Sequence, residues 1–196
     1  MIDVIEKTAT TLLEQTPGIV IRYRLLRDVR RKMSNCPELQ QAKDNLKYSQ
    51  CIQELEQEQR EDGGWGAFHS RSTRMKRKIP STEVGVERAL SLGLDASHPI
   101  LQKVSAYTLG IMQGDILFPD YHEKNDRWQT GMRLFLASTL SLIYPDHPAL
   151  KDDRELWHEI RGRNVSYLNT PRTVPDVRFS RIRFLGCTRF RARAAV

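Results

Sequence analysis

Two stretches of this chain are copies of one pattern. Leu90–Leu101 reads LSLGLDASHPIL, and Leu140–Leu150 reads LSLIYPDHPAL with one residue deleted. Asn35–Leu39, NCPEL, is a weaker third copy. Each has an apolar helix end, a short loop and a proline that opens the next helix, at positions 37, 99 and 148. Proline suits the first turn of a helix, where its missing N–H has no intrahelical bond to lose. A repeat of this size implies stacked helical hairpins, because one hairpin cannot bury its own apolar face. The chain is therefore expected to be all-α, built of antiparallel helical hairpins. Residues 1–160 lack the alternation and β-branched enrichment of strands.

The spacing of apolar residues sets the expected helices. Asp3 is a candidate N-cap for a helix over Val4–Glu14, which ends before Pro17. Gly18–Met33 carries Ile19, Tyr23, Leu26 and Val29 at three- and four-residue steps, so they share one face. Pro37 opens a helix with Leu39, Ala42 and Leu46 on its stripe, and Ile52, Leu55 and Gln59 continue after a bend near Tyr48. Ser81 or Thr82 caps a helix to about Leu92, with Gly93 as its stop. Pro99 opens another, and Thr130–Ile143 is the most apolar of all. Pro148 opens the last, with Leu150, Trp157 and Ile160.

Charge is unevenly spread. The net charge is +7, but residues 171–196 hold seven arginines and one acid, Asp176. The basic character belongs to this tail, so the chain divides into a helical-hairpin domain, 1–162, and an arginine-rich tail, 163–196, expected to be poorly ordered. The tail interleaves its arginines with Phe179, Phe184 and Phe190. That mixture serves single-stranded nucleic acid binding, through phosphate neutralisation and base stacking. It also continues neither the repeat nor a helical period. The favoured reading is a chain interrupted before its remaining hairpins, as by a frameshift. The three cysteines, Cys36, Cys51 and Cys187, are too few and too far apart for a disulfide framework or a CxxC knuckle. No apolar run approaches the ~20 residues of a membrane span. The N-terminus has acids where a signal peptide needs basic residues, which suggests a cytoplasmic protein.

The turn Asp62-Gly63-Gly64 is followed directly by Trp65, and Leu55 and Gln59 precede it. This stretch resembles the QW repeat of squalene and oxidosqualene cyclases: an aliphatic residue, three residues, Gln, a few residues, Gly, any residue, Trp. Leu55, Gln59, Gly63 and Trp65 match. Glu54 stands where the repeat has an aromatic, and the Lys/Arg-Gly start is missing. Over residues 18–160 the chain is similar to the terpenoid cyclase and protein prenyltransferase superfamily, in particular its uncharacterised bacterial prenyltransferase-like members. The resemblance implies an α/α toroid around an apolar cavity, with an isoprenoid-like small molecule as ligand. Three or four hairpins imply a partial, open ring. Physically, the Gln59 amide can bond the unpaired groups of a neighbouring helix end, and an indole packed over it would hold the turn to the next hairpin.

The catalytic motifs of that superfamily do not carry over. The acidic DxDD string has its nearest counterpart in Leu150-Lys151-Asp152-Asp153, with Leu150 in place of the first acid. The magnesium-binding DDxxD string meets Asp152-Asp153-Arg154-Glu155-Leu156, which lacks the fifth acid. No cysteine stands in a zinc-binding Asp, Cys, His pattern. No catalytic residue, metal site or cofactor is therefore expected, and the reading leans away from an enzyme. Thr82, Glu83 and Glu87 would line the cavity if their helix is an inner one, and Glu83 and Glu87 lie one turn apart, as paired carboxylates do. Arg71, Arg74, Lys76, Arg77 and Lys78 form a basic cluster able to hold an anion. His98 and His147 each precede a helix-opening proline, which points to capping rather than metal binding. Tyr121, His122, Glu123 and Asp126 are metal-capable, but no regular spacing organises them. The alternative function is a helical-repeat scaffold for a protein or nucleic acid, with the tail contributing.

Overall fold

Pro37 and Pro99 each stand at the first position of a helix. The computed structural model describes residues 2–69, 78–120 and 128–167, with the backbone alone at 2, 3, 129 and 160–167. These residues form eight α-helices and no strand: α1 (Ile2–Glu14), α2 (Ile19–Arg24), α3 (Pro37–Asp44), α4 (Gln50–Glu58), α5 (Thr82–Ser91), α6 (Pro99–Gln113), α7 (Trp128–Ile143) and α8 (Lys151–Tyr167). The all-α expectation agrees with this. Successive helices pack on one another, α4 on α5, α5 on α6 and α6 on α7, as a hairpin array requires. No helix of the described residues is long and apolar enough to cross a membrane.

Four expected helices have different bounds, the one expected over Thr130–Ile143 because α7 already begins at Trp128. Asp3 lies inside α1, not before it, because the helix begins at Ile2. The helix expected over Gly18–Met33 is α-helical only to Arg24 and continues as a π turn, Leu25–Val29, closed by Arg30 N–H on the Leu25 carbonyl at 2.9 Å. The wide turn re-aims two arginines at the end of α5. Arg24 Nη1 donates to the Ser91 carbonyl at 2.8 Å and Arg27 Nη1 to that of Gly93 at 2.5 Å. π turns of this kind are bulges within α-helices, often at places the fold puts to use. Pro148 opens a short 3-10 turn, Pro148–Leu150, before α8, and α8 runs on past the boundary drawn at residue 162.

The main core joins most of the array. Tyr23 from α2 and Leu26 from the π turn meet Leu39 and Ala42 from α3, Ile52 and Leu55 from α4, Val86 and Ala89 from α5, and Leu101 and Val104 from α6. A second cluster gathers Phe68, Tyr107, Ile111 and Leu136. A third, Ala137, Leu140 and Leu150, lies between α7 and the start of α8. Arg133 ties those two helices together: its guanidinium spans the Asp153 carboxylate, with Nη2 at 2.6 Å, and also reaches the Ala149 carbonyl at 3.2 Å.

The two histidines of the repeat act as helix caps. His98 Nδ1 accepts the Ile100 N–H at 3.3 Å, and His147 Nδ1 accepts the Ala149 N–H at 3.2 Å. Each satisfies one of the donors that a helix start leaves over. Burial pushes the His98 pKa below its usual value, against the opposing pull of Asp95. The unfolded chain therefore binds this proton more readily than the folded one. The stability contribution of His98 is complete above the unfolded pKa of about 6.5 and is lost as the pH falls through the folded value. His98→Asn keeps an acceptor at the cap and removes the titration. Between pH 7 and pH 5, urea unfolding is expected to show a larger loss of stability in the wild type than in His98→Asn. Equal losses would remove His98 from the pH response.

Candidate functional site

Helix α4 ends at Gln59, whose backbone is already extended. Its side chain turns back on the loop that follows. Gln59 Nε2 donates to the Gly63 carbonyl at 2.8 Å and to the Ile100 carbonyl, in the first turn of α6, at 3.0 Å. Both partners are acceptors, so the amide orientation is fixed by them. The bond to the neighbouring helix is thus made by the amide nitrogen to a carbonyl of its first turn. The amide oxygen is buried and has no hydrogen-bond partner among the described residues.

Asp62 shapes the loop from within. Its carboxylate accepts the Gly64 N–H at 2.9 Å and pairs with Arg60 at 2.9 Å. Arg60 also donates to the Gly66 carbonyl and to the Tyr107 hydroxyl, the latter at 3.0 Å. Gly63 has φ +95, and a Cβ there would lie 2.7 Å from the Lys103 carbonyl carbon. Only glycine combines that backbone with so close an approach to α6.

Trp65 is fully buried. Its indole Nε1–H donates to the Leu55 carbonyl at 2.9 Å, back on α4. Its backbone N–H donates to Thr82 Oγ1 at 3.1 Å, and that hydroxyl donates in turn to the Trp65 carbonyl at 3.0 Å. The indole face rests on Gly85 in the middle of α5, where a Cβ would come within 2.5 Å of the ring atom Cδ2. Residues 67–68 then pair with the start of α5, through Thr82 N–H on the Ala67 carbonyl at 2.8 Å and Glu83 N–H on that of Phe68 at 3.2 Å. One loop therefore joins α4, α5 and α6 by hydrogen bonds and by the indole.

Thr82 is part of this clasp and is fully buried. Glu83 and Glu87 do not act together: Glu83 pairs with His69, and Glu87 is exposed. Of the basic cluster, Arg71, Arg74, Lys76 and Arg77 lie outside the described residues. Lys78 is exposed, and its ammonium is matched by Glu54 at 3.0 Å. Tyr121, His122, Glu123, Asp126 and residues 168–196 of the arginine tail also lie outside them. Among the described residues no group of three His, Cys, Asp or Glu could hold a metal ion. Of the acids in the DxDD-like string, Asp153 is occupied by Arg133.

His69 is the residue that sequence reasoning passed over. Its Nδ1 lies 2.5 Å from Glu83 Oε2, and its ring stacks on Phe135 of α7 at 3.6 Å and 11°. The backbone N–H groups of Phe68 and His69 both donate to the Asp120 carboxylate, at 2.5 and 2.9 Å. Through these contacts His69 fastens α5 to α7. Spacing carried no signal, because Glu83 and Phe135 are brought to His69 only by the clasp and by α6–α7 packing.

Two grooves stand out among the described residues. Neither is lined by Thr82, Glu83 or Glu87. One, of about 340 Å³, lies between α7 and α8 on Leu134, Ala137, Leu150 and Trp157, with Asp153 and Arg154 at its edge. Trp157 is 50% exposed and Leu134 39%. The other, of about 310 Å³, lies among α2, α3 and the loop before α6. Comparison of the chain with protein-family models, with curated proteins and with solved structures finds no match in any of the three.

Proposed function

We propose that this chain is a non-catalytic helical-hairpin module, an open part of an α/α toroid, that binds an apolar, isoprenoid-like ligand between α7 and α8. The observation that carries this reading is the α7–α8 groove. Apolar side chains line it, and Trp157 and Leu134 keep much of their surface in water. Small-molecule sites are concave and mostly apolar, with a few polar groups that set orientation. Here Arg154 and His158 supply the polar edge. The order of the array supports the partial ring, since α4, α5, α6 and α7 pack on one another in succession.

The test is a thermal-shift titration with isoprenoid alcohols and isoprenyl diphosphates. A ligand present at a hundred times its Kd adds about 2.7 kcal/mol, which for a chain of this size raises Tm by about 5–10 °C. Trp157→Ala is expected to abolish that shift while leaving the unliganded Tm little changed, because half of the side chain is already exposed. The absence of a shift across the panel would overturn the proposal.

A further inference from the structure

The second groove contains opposite charges that do not meet. Four charged side chains line it: Lys43, Asp44, Lys47 and Asp95. Two of them satisfy each other. Asp95 accepts from Lys43 Nζ at 3.2 Å, from the Ser97 N–H at 2.9 Å and from the Ser97 hydroxyl. Asp44 and Lys47 remain. They stand three residues apart where α3 passes into the 3-10 turn Asn45–Tyr48, and neither makes an ion pair among the described residues. Lys47 Nζ lies over the Tyr48 ring at 5.1 Å, with no carboxylate partner. Both side chains are exposed, so a ligand in the groove can reach either charge.

His98 adds a donor to the same groove. Its Nδ1 accepts the Ile100 N–H, so in the neutral ring the proton sits on Nε2. The walls are apolar: Tyr23, Leu46 and Leu94 are buried residues that line the space. The groove therefore combines an unpaired ammonium and an imidazole donor, an unpaired carboxylate and an apolar wall. Its volume of about 310 Å³ falls at the small end of ligand sites.

We infer that this groove is a binding site for a small zwitterion with an apolar side chain, of the amino-acid class, whose carboxylate meets Lys47 and His98 and whose ammonium meets Asp44. The site is separate from the α7–α8 groove and does not rest on it. The experiment is ligand-observed NMR on the full chain with three probes: phenylalanine, 3-phenylpropionate, which lacks the amine, and 2-phenylethylamine, which lacks the carboxylate. Saturable binding is expected to be tightest for phenylalanine. Lys47→Gln should weaken phenylalanine by about tenfold and erase its advantage over phenylethylamine. Asp44→Asn should do the same relative to phenylpropionate. Lys47→Arg should retain binding, which separates loss of charge from damage to the fold, and Trp157→Ala should leave it unchanged. Absence of saturable binding, equal binding of the single-charge probes, or affinities indifferent to both substitutions would overturn the inference.

Discussion

Replacing Gly85 with alanine is expected to destabilise the protein by about 1–3 kcal/mol, the usual range for overpacking a filled core. The sign is the point. Gly85 sits in the interior of α5, where alanine ordinarily favours a helix by about 1 kcal/mol. Here the added methyl would lie 2.5 Å from Trp65 Cδ2 and 2.8 Å from Cζ3. The indole has little room to retreat, because it is fully buried and its N–H is fixed on the Leu55 carbonyl. Urea unfolding measures the outcome directly. A Gly85→Ala protein that is more stable than the wild type would show that the indole does not depend on the bare backbone of α5.

Trp65→Ala should cost more, about 3–5 kcal/mol, as for other large buried aromatics. The loss combines the packing of a fully buried indole with its hydrogen bond. The Leu55 carbonyl would keep the Gln59 N–H at 3.1 Å, so the damage is mainly a cavity among α4, α5 and the core. Against a typical total of about 5–15 kcal/mol, one substitution would remove a large share. Trp65→Phe retains a ring without the N–H donor and should fall between the two. A Trp65→Ala protein that unfolds at nearly the wild-type urea concentration would mean that the clasp does not join α4 to α5.

The repeat made the two histidine caps readable from the sequence. Proline after His98 and His147 marks a helix start, and both imidazoles cap as that position suggests. The turn glycines were legible for the same local reason, since Gly63 stands at positive φ. Long-range contacts were less so. Gly85 inside a helical pattern is a propensity cost that asks for a reason, and the reason is an indole twenty residues earlier in the chain. The Glu83–Glu87 spacing suggested a pair of carboxylates, but one-turn spacing does not say what the next element brings, and His69 takes Glu83. The π turn after α2 was hidden because its extra residue serves Arg24 and Arg27, whose carbonyl partners lie at the end of α5. Helical periodicity reports one element at a time, whereas these features belong to pairs of elements.

Trp65 and Gly85 form one contact that holds α5 to the end of α4. A double-mutant cycle between them tests it most directly. In the wild-type background Gly85→Ala should destabilise the protein in urea unfolding. In the Trp65→Ala background, with the indole gone, the same change should become neutral or stabilising, as alanine is elsewhere in a helix. An equal cost of Gly85→Ala in both backgrounds would contradict the account.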